Sequence, residues 1–163
     1  MNNKPIGVFD SGIGGVTVLQ DLVEKFPNED FIYVGDTLNL PYGTKTPEQL
    51  KSLVSNVSNY LVSRDVKAIV IACNTATANS YHLKDEISVP VIGVINPTSK
   101  CAYETSQKKN ILTIATNVTI NSESYKKALN ELSNGRGNFY FERCSEFVDA
   151  IENNIVNTKE SFD

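Results

Sequence analysis

The chain has 163 residues, 40% of them hydrophobic and 21% charged, with a formal charge of −4. That length suits one full domain, or one domain plus part of another, at about 100–200 residues each, and excludes two full α/β domains. The acidic balance and scattered lysines and arginines exclude a nucleic-acid binder. No stretch nears the roughly 18 apolar residues of a membrane span, and the start MNNKPIGVFDSG lacks a secretory apolar core, so a cytoplasmic protein is expected. Cys73, Cys101 and Cys144 form no C-x-x-C pair, and His82 is the one histidine. This pattern predicts free thiols, with neither a disulfide framework nor a metal site.

In chain order, short runs rich in Val, Ile and Phe predict strands at 6–9, 31–34, 68–72, 91–94, 111–115 and 138–141. Stretches of helical period predict helices at 16–25, 47–63, 76–86, 98–106, 122–133 and 146–153. Thr46, Pro47 and Glu48 read as N-cap, first-turn proline and first-turn acid, and 119–123 reads as another polar helix start. The alternation predicts an α/β fold, a parallel sheet flanked by helices. Ligands of such sheets bind beyond the carboxyl ends of the strands, so the segments following each strand are where chemistry is expected.

After the first strand, FDSGIGG combines a tight glycine turn with backbone N–H groups that suit a carboxylate or phosphate. Its G-x-G-G spacing is neither the dinucleotide fingerprint nor a P-loop. Asp10 is either a turn former or a catalytic carboxylate. After the second strand, Pro41, Tyr42 and Gly43 shape a long loop that is either a ligand contact or a plain connection. After the third, Cys73 is either a small buried hydrophobe or a thiolate whose pKa is lowered by the helix that follows Asn74 and Thr75. His82 falls about two turns down that helix, too far to serve Cys73 and better read as a flank residue, so Asp10 is the better base. Thr116 and Thr119 follow the fifth strand as hydroxyl donors or helix caps. Cys144, Phe147, Val148 and Ile151 recur at helical spacing and read as a core stripe, with Glu152 solvated at its end. The tail after Glu152 is polar and reads as a chain that stops before closing a fold.

Taken together, IGVFDSGIGG, GDTxxxPYGTKTPE, ACNTA, VPVIGVI and the T-x-x-T-x-x-S-x-x-Y pattern from Thr116 to Tyr125 resemble the amino-terminal part of bacterial glutamate racemases. The resemblance runs from Ile6 to Glu152. It implies an aspartate/glutamate racemase-like fold, with residues 1–95 as a nearly complete first domain lacking its return and residues 96–163 as a truncated second. It implies a cofactor-independent isomerase that interconverts L- and D-glutamate for peptidoglycan by two-cysteine proton transfer at Cα, with a small-molecule substrate and no metal. Cys73 matches one catalytic cysteine, with Asp10 as its orienting carboxylate. The family's substrate contacts match Asp10, Ser11, Pro41, Tyr42, Gly43, Asn74, Thr75, Thr116 and Thr119.

The departures matter as much. The second catalytic cysteine belongs to a Gly-Cys-Thr-His-Tyr-Pro segment that these residues lack; Cys144 matches an earlier stretch, and Glu152 matches the carboxylate that supports the missing pair. Ala115 and Thr98 stand for glycines, and Asn96 for a glutamate. The resemblance therefore implies impaired racemisation by this chain, with uncovered apolar faces that lower its stability or join copies into a homodimer. An aspartate or broad-specificity racemase and a non-catalytic carboxylate-binding relative are the alternative readings.

Overall fold

A computed structural model describes residues 3–152, apart from the side chains of Asp149 and Glu152. Four strands, β1 (Ile6–Asp10), β2 (Phe31–Gly35), β3 (Ala68–Ile71) and β4 (Val91–Gly93), form a parallel sheet in the order β2-β1-β3-β4. Two more, β5 (Asn110–Ala115) and β6 (Asn138–Arg143), form a separate parallel pair. The strands thus fall where their apolar runs predict them, with ends shifted by a residue or two.

β1 is paired on both edges, Val8 lying opposite Tyr33 on β2 and Val70 on β3. Both its faces are covered, which is why its sequence reads as a continuous apolar run. From β1 the chain moves to β2 on one side, then crosses to β3 on the other. That reversal leaves a crevice beyond the carboxyl ends of β1 and β3, where Asp10 and Cys73 sit.

Helix α1 (Gly15–Lys25) follows β1, and α2 (Pro47–Ser63) precedes β3. Thr46 caps α2 as expected: its Oγ1 accepts the Gln49 N–H while the Gln49 side chain accepts the Thr46 N–H. Leu50, Val54, Val57 and Leu61 recur along one face of α2 and are buried with Phe9, Ile69 and Ile71 in the main core.

Three predicted helices differ from expectation. The predicted helix over 76–86 is two short pieces, α3 (Asn74–Ala78) and α4 (Leu83–Glu86). The side chains of Asn79 and Ser80 bond back to the carbonyls of Thr75 and Thr77, offering the chain a turn in place of another helical one. Helix α5 (Ile95–Thr105) starts earlier than predicted because Pro97 falls within its first turn, where a missing N–H costs nothing. The predicted 122–133 helix is preceded by its own short partner: α6 (Asn117–Asn121) and α7 (Ser124–Ser133) are separated by Glu123 in the left-handed region at φ 57°.

Helices α5 and α7 pack against each other, and Leu129 of α7 is fully buried. Tyr103 of α5 meets Phe139 of β6 edge to face at 6.4 Å between centroids. The other face of this strand pair exposes Leu112, Ile114 and Tyr140. The last helix, α8 (Ser145–Glu152), corrects the expectation of a core stripe: Phe147 and Ile151 are each more than half exposed, and Val148 and Ile151 line the rim of a cleft.

Two substitutions test this account of the core and of α2. Leu61→Ala deletes a fully buried side chain and should lower unfolding free energy by about 2–5 kcal/mol. Thr46→Ala, which removes only the cap, should cost about 1 kcal/mol. Urea melts of both variants check the order; a cap loss as large as the core loss would contradict it.

Candidate active site

The site begins with the glycine turn after β1. Asp10 is buried, and its Oδ2 accepts the backbone N–H of Gly15 at 2.9 Å and of Gly12 at 3.3 Å. A Cβ on Gly15 would stand 2.5 Å from the Asp10 Cβ and 3.0 Å from that of Ala72, so only glycine lets α1 start this close to β1 and β3. The hydroxyl of Tyr33, reaching across from β2, donates to the Gly12 carbonyl at 3.0 Å and closes the turn from its other side. The sequence reading assigned Tyr33 no role; a strand tyrosine whose hydroxyl must find a partner is the only signal it offers.

Cys73 caps α3, its Sγ lying 3.4 Å from the Ala76 N–H and 3.4 Å from Ser11 Oγ. The thiol pKa is raised, not lowered as expected from the helix. Burial is the first cause and the Asp10 charge the second, and together they outweigh the hydrogen bonds from Ser11 and Ala76. The same causes act on Tyr33, whose phenol is pushed up to about 12 by burial, then by Asp10 and Cys73. Cys73 therefore holds its proton near neutral pH.

The loop after β2 makes two 3-10 turns, Thr37–Asn39 and Tyr42–Thr44. The Tyr42 hydroxyl donates to Asp36 Oδ2 at 2.6 Å, while Asn39 Nδ2 donates to both oxygens of that carboxylate. Burial, then the Asp36 contact, drives the Tyr42 phenol far above its ordinary range. Asp36 is a second residue that the sequence reading passed over, since an acid in a polar loop gives no local sign of a buried partner. Gly43 lies against Thr116: a Cβ there would come within 3.0 Å of the threonine methyl.

The hydroxyls of Thr75, Thr116 and Thr119 form a buried triangle with edges of 3.0–3.1 Å. Thr116 also caps α6 by accepting the Thr119 N–H, as its helix-cap reading expects. His82 is tied away from this region: its Nε2 lies 2.8 Å from Ser55 Oγ, which donates to Glu86.

Asp10, Ser11, Pro41, Tyr42, Gly43, Cys73, Asn74, Thr75, Thr116 and Thr119 all line one cavity of about 520 Å³. The structure thus gathers residues from four segments at one place, while Cys101 and Cys144 do not line it. Glu152 closes α8, and its side chain lies outside the described residues. A hollow of about 550 Å³ at the β4 side holds neither a carboxylate nor a thiol among its lining residues. Among the described residues, no three His, Cys, Asp or Glu side chains converge as metal ligands, and no helix is long and apolar enough to cross a membrane.

The family model described as Asp/Glu/Hydantoin racemase matches residues 6–160. The chain is 41% identical over 160 residues to a glutamate racemase of Lactococcus lactis subsp. lactis, covering 98% of this chain and 59% of the relative. A solved glutamate racemase isoform from Bacillus anthracis superposes with a TM-score of 0.91 at 36% identity, covering 96% of this chain and 59% of that one. A glutamate racemase from Francisella tularensis, solved in complex with D-glutamate, gives 0.87 at 36% identity, with 99% of this chain and 60% of that one covered. The chain spans about three fifths of the length of these relatives.

A raised thiol pKa means that the folded state keeps a proton that the unfolded chain has lost. The stabilisation is therefore present below the ordinary thiol pKa of about 8.5 and is lost as pH rises above it. Iodoacetamide at pH 8 should label exposed Cys101 well ahead of Cys73, as read by peptide mass spectrometry. Asp10→Asn, by removing the negative charge, should speed Cys73 labelling at fixed pH; unchanged labelling would contradict the charge effect.

Proposed function

The chain belongs to the Asp/Glu/hydantoin racemase family, and from that premise we propose that its cleft binds glutamate and moves the Cα proton through Cys73. The observation that carries the reading is the Cys73 sulfur on the wall of a cleft that also gathers the Asp10 carboxylate, the Asn74 amide and the hydroxyls of Ser11, Thr75, Thr116 and Thr119. A Cα–H is very weakly acidic, and its removal leaves charge that spreads into the carboxylate. Preorganised donors at that carboxylate offset this charge, and the Thr75, Thr116 and Thr119 hydroxyls, bonded to one another, are suited to turn toward it.

Cys73 acts from one side of Cα. As a thiolate it accepts the proton; as a thiol, the form favoured by its burial and by Asp10, it returns one to the carbanion. Asp10 orients the site through the glycine turn, and its charge adds to burial in raising the sulfur's proton affinity. Ser11, Pro41, Tyr42, Gly43 and Asn74 contact the substrate. Inversion also requires a second acid/base group on the opposite face of Cα, and Cys73 is the one sulfur lining the cleft among the described residues. The described residues therefore supply one side of a two-base, cofactor-independent racemisation.

In this reading residues 1–95 form the first α/β unit and 96–163 part of a second. The exposed Leu112, Ile114 and Tyr140 favour association of copies as a homodimer. The product D-glutamate serves peptidoglycan synthesis in the cytoplasm.

In heavy water this chain should exchange the Cα proton of one glutamate enantiomer, followed by proton NMR, without efficient inversion. Cys73→Ala should slow that exchange at least about 100-fold. Exchange that survives Cys73→Ala would remove the sulfur from the mechanism, and racemisation by the unmodified chain at equal rates in both directions would overturn the one-sided assignment.

A further inference from the structure

Asn74 is the first residue of α3, directly after Cys73, and its side chain lines the same cleft. Its Oδ1 accepts a hydrogen bond of 2.6 Å from the hydroxyl of Tyr125, a residue of α7 that is 51 positions away in sequence and also lines the cleft. Asn74 Nδ2, by contrast, has no hydrogen-bond partner among the described residues.

A carboxamide is planar, with oxygen and nitrogen on opposite sides of its carbon. Fixing the oxygen on Tyr125 therefore fixes where the two N–H groups point. Without that anchor the amide is free to turn over, because at an exposed position its two orientations differ little in energy. Tyr125 itself is constrained. It is part-buried on α7, which packs against α5, and burial holds its phenol above the ordinary range, so the proton it donates stays in place; the Thr98 hydroxyl of α5 opposes this shift by hydrogen bonding. Thr98 is one of the positions where the chain departs from the pattern it resembles.

We propose that Tyr125 is a positioning residue: its hydroxyl holds Asn74 Oδ1 so that Asn74 Nδ2 donates to a substrate carboxylate bound beside Cys73. The assignment rests on the reading of the cleft as an amino-acid carboxylate site. It also ties the two parts of the chain together, because a side chain from the α5–α7 layer sets the direction of a donor next to the reactive sulfur.

Two measurements on the 163-residue chain separate the anchor from the ligand. Without ligand, the NMR order parameter of the Asn74 side-chain amide should fall below about 0.6 in Tyr125→Phe, from a rigid value in the parent. An unchanged order parameter overturns the proposal. With D-glutamate, calorimetry should give about 5–10-fold weaker binding for Tyr125→Phe, and less than about 2-fold further loss when the same change is made in Asn74→Ala. Equal losses in both backgrounds would make Tyr125 a structural residue or a direct contact and overturn its positioning role. Asn74→Asp keeps an acceptor for Tyr125 but replaces the donor with an anionic oxygen, so it should bind more weakly than Asn74→Ala; binding as tight as in Asn74→Ala would show that Nδ2 does not face the carboxylate and overturn that part. If the parent chain fails to bind D-glutamate, the carboxylate reading falls, while the order parameter still decides for or against the anchor.

Discussion

One buried carboxylate organises this molecule. Asp10 accepts two backbone N–H bonds from the turn that follows β1, which lets α1 begin against the ends of β1 and β3. Because it is buried, its charge is poorly screened, and after their own burial it is the second cause that raises the Cys73 thiol and the Tyr33 phenol. Its turn-forming reading is the one its two backbone hydrogen bonds display. A group that holds a tight turn beside a sulfur also adds to the effect of burial in raising that sulfur's proton affinity.

The second organising contact lies across the cleft. The threonine triangle joins α3, which follows the four-stranded sheet, to the start of α6, which follows β5. Gly43 lies against the same threonine methyl, so the loop after β2 meets this wall through a residue without a side chain. Three hydroxyls bonded in a ring each have a partner. The same groups can turn toward an anion without first leaving a buried polar atom unsatisfied.

Strand positions were legible in the sequence because a parallel strand buried on both faces leaves an uninterrupted apolar run, as in 6–10 and 68–71. The cap of α2 was legible for a related reason: Thr46, Pro47 and Gln49 act within one turn of chain. The break after α3 was not, since Asn79 and Ser80 are as compatible with an exposed helical turn as with the backbone bonds they make. The apolar face of α8 has helical period yet is exposed at Phe147 and Ile151, because periodicity records which residues share a face and not what lies over it. The direction of the Cys73 shift was misread in the same way: the following helix is visible locally, whereas burial and the Asp10 charge come from β1, more than sixty residues earlier.

The sequence by itself determined the order of the strands, the α/β class and the turn segments that follow the strands, since all of these follow from local periodicity and turn chemistry. The tertiary structure alone decided how those segments meet. It brought Asp36 to Tyr42, Tyr33 to the glycine turn, the three threonines to one another, and Tyr125 to Asn74. Each of these contacts depends on the sheet crossing from β2 over β1 to β3, or on helices after β5 closing onto α3. Hydrogen bonds and unscreened charge act over a few ångströms of space, whatever the separation along the chain, and local sequence carries no record of that proximity.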